Sequence, residues 1–201
     1  MFYAIQLFIV SAFHLLRVTS LENTECSGAK VKSALGGYAA LSKKYKGYRI
    51  INHHELAWYL DHLRFYSDKD CSQLIPHESG TIIDSGHFGN DLWKPVNSFE
   101  KQFGDHIHWV GSPDENWDVF IGLQNLTESY HLRCVKFDHD TFGAQYPVPR
   151  LRVQAWDGVK DSWCDLYAFD CVGKKDVKLS WADPAGQRTL VQRIHFRRFK
   201  P

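Results

Sequence analysis

The sequence predicts an all-β fold, a β-sandwich preceded by a short irregular or helical N-terminal segment. Short runs of β-branched and aromatic residues recur between turn residues, and no long amphipathic helix separates them. Three such runs, at 119–123, 130–137 and 151–156, share one stretch with Trp117 and Trp163. Aromatic residues make up 14% of the 201 residues, which favours a globular core over disorder.

Further strands are predicted on both sides of this stretch. Alternating apolar side chains predict strands at 48–66 (interrupted near 53–54), 81–84, 106–110, 177–181 and 189–196. Residues 34–45 are predicted as a short helix or an irregular cover, and 85–104 as a long loop. The chain is predicted to hold one folded domain, a β-sandwich at 48–201. A signal peptide at 1–20 and an N-terminal tail or cover at 21–47 precede it.

The first 20 residues predict secretion. Residues 2–16 are apolar over about 15 positions, the length of a signal peptide and short for a membrane span. Val18, Thr19 and Ser20 precede the expected cleavage site, and an uncleaved membrane anchor is the alternative. No second apolar run of membrane length follows, so we expect an extracellular protein that begins near Leu21.

Cysteine usage agrees with an oxidising compartment. All five cysteines follow the expected cleavage site, which predicts two disulfides and one unpaired cysteine; the residues alone leave the pairing open. Asn125-Leu126-Thr127 is an acceptor sequence for N-glycosylation between two predicted strands, so Asn125 is expected on a surface loop.

The charge balance gives no reason to expect a nucleic-acid partner. Lysine and arginine total 24 against 23 acidic residues, for a formal net charge of +1. The last predicted strand is locally basic, and Arg193, Arg197 and Arg198 could contact an anionic surface such as a sulfated glycan or an anionic lipid. The alternative is a solvated edge that keeps this strand from aggregating.

Four passages of the chain follow a common order. They are the strand pair within 48–66, the loop from Ser85-Gly86 to His108-Trp109, the strand 117–122 with its successor 132–137, and Leu-Arg-Val-Gln-Ala-Trp-Asp-Gly at 151–158 followed by Trp163. In this order they resemble a discoidin domain, also called a coagulation factor 5/8 type C domain, of the galactose-binding jelly-roll group. The resemblance implies a jelly roll that supports ligand-binding loops at one end. Ligands across the group include glycans, anionic lipid head groups and protein partners.

The resemblance also favours particular disulfides. A bond between the start of the domain and a late strand would join Cys26 to Cys164 or Cys171. A second bond, between Cys71 and Cys134, would join two neighbouring passages of the sandwich.

The long loop carries the predicted ligand site. Sugar recognition needs an aromatic face for the apolar side of the ring and planar polar groups for its hydroxyls. His87, Asn90, Asp91 and Trp93 offer both, and the alternative is that Trp93 packs back onto the sandwich. Trp156 and Trp163, with Asp157, are a second candidate that we expect to pack in the core instead.

Metal sites are weaker candidates. His106 and His108 would share one face of a strand and could hold a catalytic metal, although a nearby glutamate is missing. Asp138 and Asp140, with Asp157, could offer oxygen ligands to calcium. We otherwise expect no cofactor. No nucleophile motif of the Gly-x-Ser-x-Gly type occurs.

These observations predict a secreted, non-enzymatic binding module. Its ligand would be a carbohydrate or another cell-surface component, held by end loops. The alternatives are a secreted metal-dependent hydrolase on a jelly roll, with the metal at His106 and His108, and a structural protein of the extracellular matrix or cell surface.

Overall fold

The computed structural model describes residues 30–34, 38–52, 58–89, 91–99, 108–139, 148–172 and 177–181. Within these ranges the chain forms two antiparallel sheets with few helices, which confirms the all-β sandwich. The jelly-roll topology stays a prediction. The expected signal peptide lies outside the described residues. In the part of the chain that the structure describes, no helix is long and apolar enough to span a membrane.

Ten strands and two short helices make up the described regular structure. The strands in chain order are β1 (Lys30–Ala34), β2 (Tyr48–Asn52), β3 (Trp58–Tyr66), β4 (Thr81–Asp84), β5 (Trp109–Gly111), β6 (Val119–Gln124), β7 (Cys134–His139), β8 (Val148–Asp157), β9 (Ser162–Val172) and β10 (Val177–Ser180). The helices are α1 (Tyr38–Ser42) and α2 (Val96–Phe99), and single 3-10 turns occupy His77–Ser79 and Asp91–Trp93.

The chain passes back and forth between the two sheets. The larger sheet has the order β1-β9-β8-β2-β6-β4, and the smaller has the order β10-β7-β3-β5. From β2 to β8, each strand lies in the sheet opposite the strand before it. Only β8 and β9 form a hairpin between consecutive, directly paired strands in the described ranges. Most contacts therefore join distant parts of the chain, as is typical of β-sandwiches.

Alternating side chains place the core between the sheets. In β6, Val119, Ile121 and Leu123 are buried in the core, whereas Phe120 points to the outer face. In β3 the inward positions change from 58 and 60 to 63 and 65. A β-bulge shifts the register there, and His62 adopts a positive φ of 52° at it. The bulge explains why the apolar positions change phase between Leu60 and Leu63. The interruption predicted near 53–54 lies outside the described residues.

Four tryptophans of the sheets divide between the core and the outer face. Trp58 and Trp109 are fully buried, with ring centroids 5.9 Å apart in an edge-to-face arrangement. The expectation that Trp156 and Trp163 pack in the core is wrong: both are half-buried and lie outside the core cluster. Because Ala155 is one of the inward residues of β8, the next residue must face outward.

The predicted strands agree with the structure to different degrees. The bounds of β2 and β4 match the prediction, whereas β7 begins at Cys134 rather than 130. The strands β1 and β9 were not predicted. The sequence of β1, Lys-Val-Lys-Ser-Ala, lacks the apolar alternation that predicts a strand, and among the described strands β1 lies at the edge of the larger sheet, beside β9. The predicted strand at 189–196 lies outside the described residues.

One disulfide is present among the described cysteines. Cys71 and Cys134 form a bond, which confirms this pairing, with a Cα–Cα distance of 5.5 Å. Cys164 is a free thiol, so the alternative that joins it to Cys26 is wrong. Cys26 and the side chain of Cys171 lie outside what the structure describes.

Removing the disulfide should destabilise the fold. The bond closes a loop between residues 63 positions apart, and loop-closure entropy predicts a loss of about 4 kcal/mol in the free energy of unfolding. The Cys71→Ser, Cys134→Ser double variant should show this loss in chemical denaturation. Cys164→Ser is the matched control and should change stability by less than about 1 kcal/mol. Equal losses in the two variants would contradict a structural role for the bond.

Candidate functional site

Two loop segments lie at the same end of the sandwich. Strand β4 leads into residues 85–89, and residues 112–118 lead into β6. Because β4 and β6 are antiparallel neighbours, the end of one lies beside the start of the other. We call the surface formed by residues 85–89, 91–93 and 112–118 the loop end. The 3-10 turn Asp91–Trp93 belongs to it because it contacts β5, whose last residue precedes 112.

Hydrogen bonds join the two segments. The Ser85 hydroxyl donates to the Ser112 carbonyl (2.7 Å) and accepts from the Phe120 amide (3.1 Å). The Ser112 amide donates to the Gly86 carbonyl (3.0 Å). Gly86 has a φ of 122°, and a Cβ there would lie 2.8 Å from the Ser112 hydroxyl, so the close approach requires glycine. The segments therefore form one connected surface.

A carboxylate at the base of the loop end connects it to the core. The Asp84 carboxylate accepts a hydrogen bond from the buried Trp109 indole (Nε1 to Oδ2, 3.0 Å). The same oxygen lies 3.2 Å from His87 Nδ1. Asp84 thus satisfies a buried donor on one side and positions a surface imidazole on the other.

The Asp114 side chain organises the turn between β5 and β6. Its Oδ1 atom accepts hydrogen bonds from the amides of Asn116 (2.8 Å) and Asp118 (3.0 Å). Its backbone amide donates to the Asp118 carbonyl, and its carbonyl accepts from the Trp117 amide (3.1 Å). Four hydrogen bonds within five residues therefore make this turn rigid.

The turn holds a large apolar side chain in solvent. Trp117 is 63% exposed and has a φ of 62°, a left-handed conformation that bulky residues rarely adopt. Such a conformation costs about 1–3 kcal/mol and persists only where the surrounding structure enforces it. Phe88 and Leu92, also at the loop end, are 44% and 46% exposed. Apolar side chains concentrated on one surface are typical of binding sites.

The predicted ligand residues occupy this same end. His87 is exposed and paired with Asp84, and Trp93 is half-buried. The side chain of Asp91 is 90% exposed and forms an ion pair with Lys94 (2.8 Å). Asn97 donates to the Leu92 carbonyl (2.7 Å), so it stabilises the 3-10 turn that carries Asp91 and Trp93. Asn90 lies outside the described residues. The ligand-binding role of these four residues stays a prediction.

The metal candidates are only partly described. His106 and Asp140 lie outside the described residues, whereas His108 is 4% exposed and its ring lies 5.5 Å from that of Tyr59. Asp138 is 2.8 Å from His62 Nδ1 in the smaller sheet. Asp157 belongs to the larger sheet and binds Lys43, so the structure keeps these two carboxylates apart. Within the described ranges, no three potential metal ligands form a group.

The predicted glycosylation site lies at the opposite end. Asn125 is exposed, with a φ of 55°, just after β6 ends. The next residue, Leu126, is buried in the core and anchors the turn, while Thr127 is exposed. A glycan on Asn125 would leave the loop end uncovered. The basic residues Arg193, Arg197 and Arg198 lie outside the described residues.

Sequence reasoning missed the residue that the loop end exposes most. Trp117 lies in the stretch of three apolar runs, whose composition is typical of the packed centre of a sandwich. The Ser-Pro-Asp-Glu-Asn sequence before Trp117 could have indicated its exposure. An aspartate in such a turn can accept backbone hydrogen bonds, which extends the turn up to the tryptophan and keeps Trp117 out of the strand that follows.

A scan against models of protein families and searches among curated proteins and solved structures return no match. The resemblance to discoidin domains therefore stays a prediction. The interpretation of the loop end rests on its own geometry.

Replacing Asp114 should loosen the turn. Asp114→Ala removes the acceptor of two backbone amides, which should lower the free energy of unfolding by about 1–2 kcal/mol. It should also speed amide hydrogen exchange at Asn116 and Asp118. Asp114→Asn keeps a side-chain carbonyl and should retain most of the protection. Unchanged exchange in Asp114→Ala would show that the carboxylate does not hold the turn.

Proposed function

We propose that the protein is a secreted, non-enzymatic binding module that recognises a carbohydrate on a cell surface through the loop end. One observation carries the proposal: a rigid turn presents Trp117, 63% exposed, in a left-handed conformation. Backbone strain that is enforced by surrounding hydrogen bonds favours a functional role. An exposed tryptophan has no packing role that would account for this strain.

The chemistry of the loop end suits a sugar. The flat apolar face of an indole packs against the C–H face of a pyranose, and polar side chains bind its hydroxyls. Trp117 offers such a face, and the exposed side chains of His87 and Asp91 offer polar groups at the same end. Because hydrogen bonds already fix the backbone of the turn that carries Trp117, little backbone entropy would be lost on binding.

Secretion rests on independent support. The apolar run at 2–16 is typical of a signal peptide, and the Cys71–Cys134 disulfide is typical of an oxidising compartment. The exposed position of Asn125 allows N-glycosylation, which would occur along the same route.

A glycan array tests the proposal directly. The disulfide-intact protein should bind a defined set of glycans, and Trp117→Ala should weaken that binding by at least about tenfold, as expected when an aromatic anchor is removed. Val159→Ala is the matched control. Val159 is the most exposed of the large apolar side chains described, at 89%, and lies in the β8–β9 turn at the opposite end.

The outcomes separate the alternatives. Equal losses in Trp117→Ala and Val159→Ala, or a blank array, would contradict carbohydrate recognition at the loop end. Running the array with calcium and with a chelator tests the cofactor, since loss of binding under chelation would identify a calcium requirement. Unchanged circular dichroism of the variants would show that the fold survives.

A further inference from the structure

A second cluster of functional side chains lies on the outer face of the larger sheet, away from the loop end. Arg49 is the outward residue near the start of β2, and its guanidinium lies between two aromatic rings. Its Cζ atom is 4.3 Å from the centroid of Phe120 and 4.4 Å from that of Trp163. Phe120 and Trp163 belong to β6 and β9, on opposite sides of β2 in the sheet order. The rings therefore flank the guanidinium from both sides.

Hydrogen bonds fix the orientation of this guanidinium. Arg49 Nε donates to Gln154 Oε1 (2.7 Å), and Gln154 Nε2 donates to Asp165 Oδ1 (2.7 Å). Arg152 Nη1 in turn donates to Asp165 Oδ2 (3.3 Å). This chain of four side chains crosses three adjacent strands, β2, β8 and β9. A side chain held in this way loses little entropy when it binds a ligand.

The backbone leaves room for this arrangement. Gly122 lies opposite Arg49 in the pairing of β2 with β6, and a Cβ there would lie only 2.6 Å from the Arg49 Cβ. Because residue 122 is a glycine, no side chain of β6 competes with Arg49 for this space.

Arg49 has no carboxylate in direct contact within the part of the chain that the structure describes. Burial lowers the pKa of its guanidinium to about 10, so Arg49 stays protonated at neutral pH. No described carboxylate forms an ion pair with Arg49, and Nε is its one nitrogen with a described hydrogen-bond acceptor. The two Nη atoms, which have no hydrogen-bond acceptor among the described residues, form a fork that matches the planar geometry of a carboxylate.

The charges around the fork indicate what kind of anion it would accept. Asp118, Asp114 and Asp165 each raise the pKa of Arg49 through space, so negative charge already surrounds the guanidinium. A ligand with one carboxylate gains the paired hydrogen bonds of the fork and meets this repulsion at one charge only. A polysulfated chain meets the same repulsion at each of its charges.

We propose that Arg49 binds the carboxylate of an acidic sugar, a hexuronate, on the outer face of the larger sheet. The half-buried indole of Trp163 contacts the guanidinium, and that of Trp156 lies next to Trp163, with centroids 5.3 Å apart. The surface that these two indoles leave open would pack against the C–H face of the sugar ring. This site deepens the proposed carbohydrate recognition, and it uses residues different from those of the loop end.

Nuclear magnetic resonance of the full-length, disulfide-intact protein tests this site. The Arg49 Nε–H signal and the indole N–H signals of Trp156 and Trp163 would be followed during titration with D-glucuronate, D-glucose and acetate. We expect saturable shifts with glucuronate. Glucose and acetate should bind at least about tenfold more weakly, because glucose lacks the carboxylate and acetate lacks the sugar ring. Equal binding of glucose would overturn the role of the fork, and equal binding of acetate would overturn the role of the rings.

Substitutions identify the group responsible. Arg49→Lys keeps the charge but loses the planar fork, and should weaken glucuronate binding by at least about tenfold. Lys136→Gln is the matched control, since Lys136 is a cation over an aromatic ring on the other sheet, 5.5 Å from the Tyr66 centroid. Should Arg49→Lys fail to fold, Gln154→Ala removes the partner of Nε and should also weaken binding. Wild-type affinity in whichever Arg49 or Gln154 variant folds would overturn the proposal.

The loop-end variant separates this site from the first one. Trp117→Ala should leave the glucuronate-induced shifts at Arg49 unchanged, even where it abolishes binding to the glycan array. Loss of these shifts in Trp117→Ala would overturn the assignment of a separate site on the sheet face. Absence of any shift in the wild-type protein would overturn it as well, without bearing on the loop end.

Discussion

The register of β2 between β6 and β8 determines which side chains the larger sheet presents to the core and which to solvent. Ile50 pairs with Ile121 on one side and with Val153 on the other, and all three lie in the core. A shift of one residue would turn this row outward and bury Arg49 in its place. Burying an arginine without a partner would be prohibitively costly, so the apolar row enforces the register.

The same register positions both candidate sites. It places Arg49 opposite Gly122 and beside Gln154, which orients the guanidinium on the outer face. Strand β6 also pairs with β4, and this pairing brings residues 85–89 beside the turn that carries Trp117. Stability and candidate function are thus coupled through β6. The strained conformation of Trp117 is tolerated because the turn is attached to a fully buried strand end at Val119.

The two surfaces differ in what they require of a ligand. At the loop end, apolar side chains are exposed and polar groups surround them, which suits a neutral sugar. On the sheet face, a partly desolvated cation has no carboxylate in direct contact among the described residues, which suits a ligand with a single carboxylate.

The sequence by itself determined the fold class, the bounds of β2 and β4, and the presence of apolar rows in β6 and β8, because residue periodicity is a local property. The resemblance, rather than the spacing, pointed to the Cys71–Cys134 bond. Only the tertiary structure decided the environments of Trp117, Trp156 and Trp163. In the sequence these tryptophans resemble core residues. The exposure of Trp117 depends on a turn held by Asp114, and that of Trp156 and Trp163 depends on the register of β8 and β9. The Arg49 fork likewise joins residues from four strands that lie far apart in the chain, and no local pattern in the sequence records that they meet.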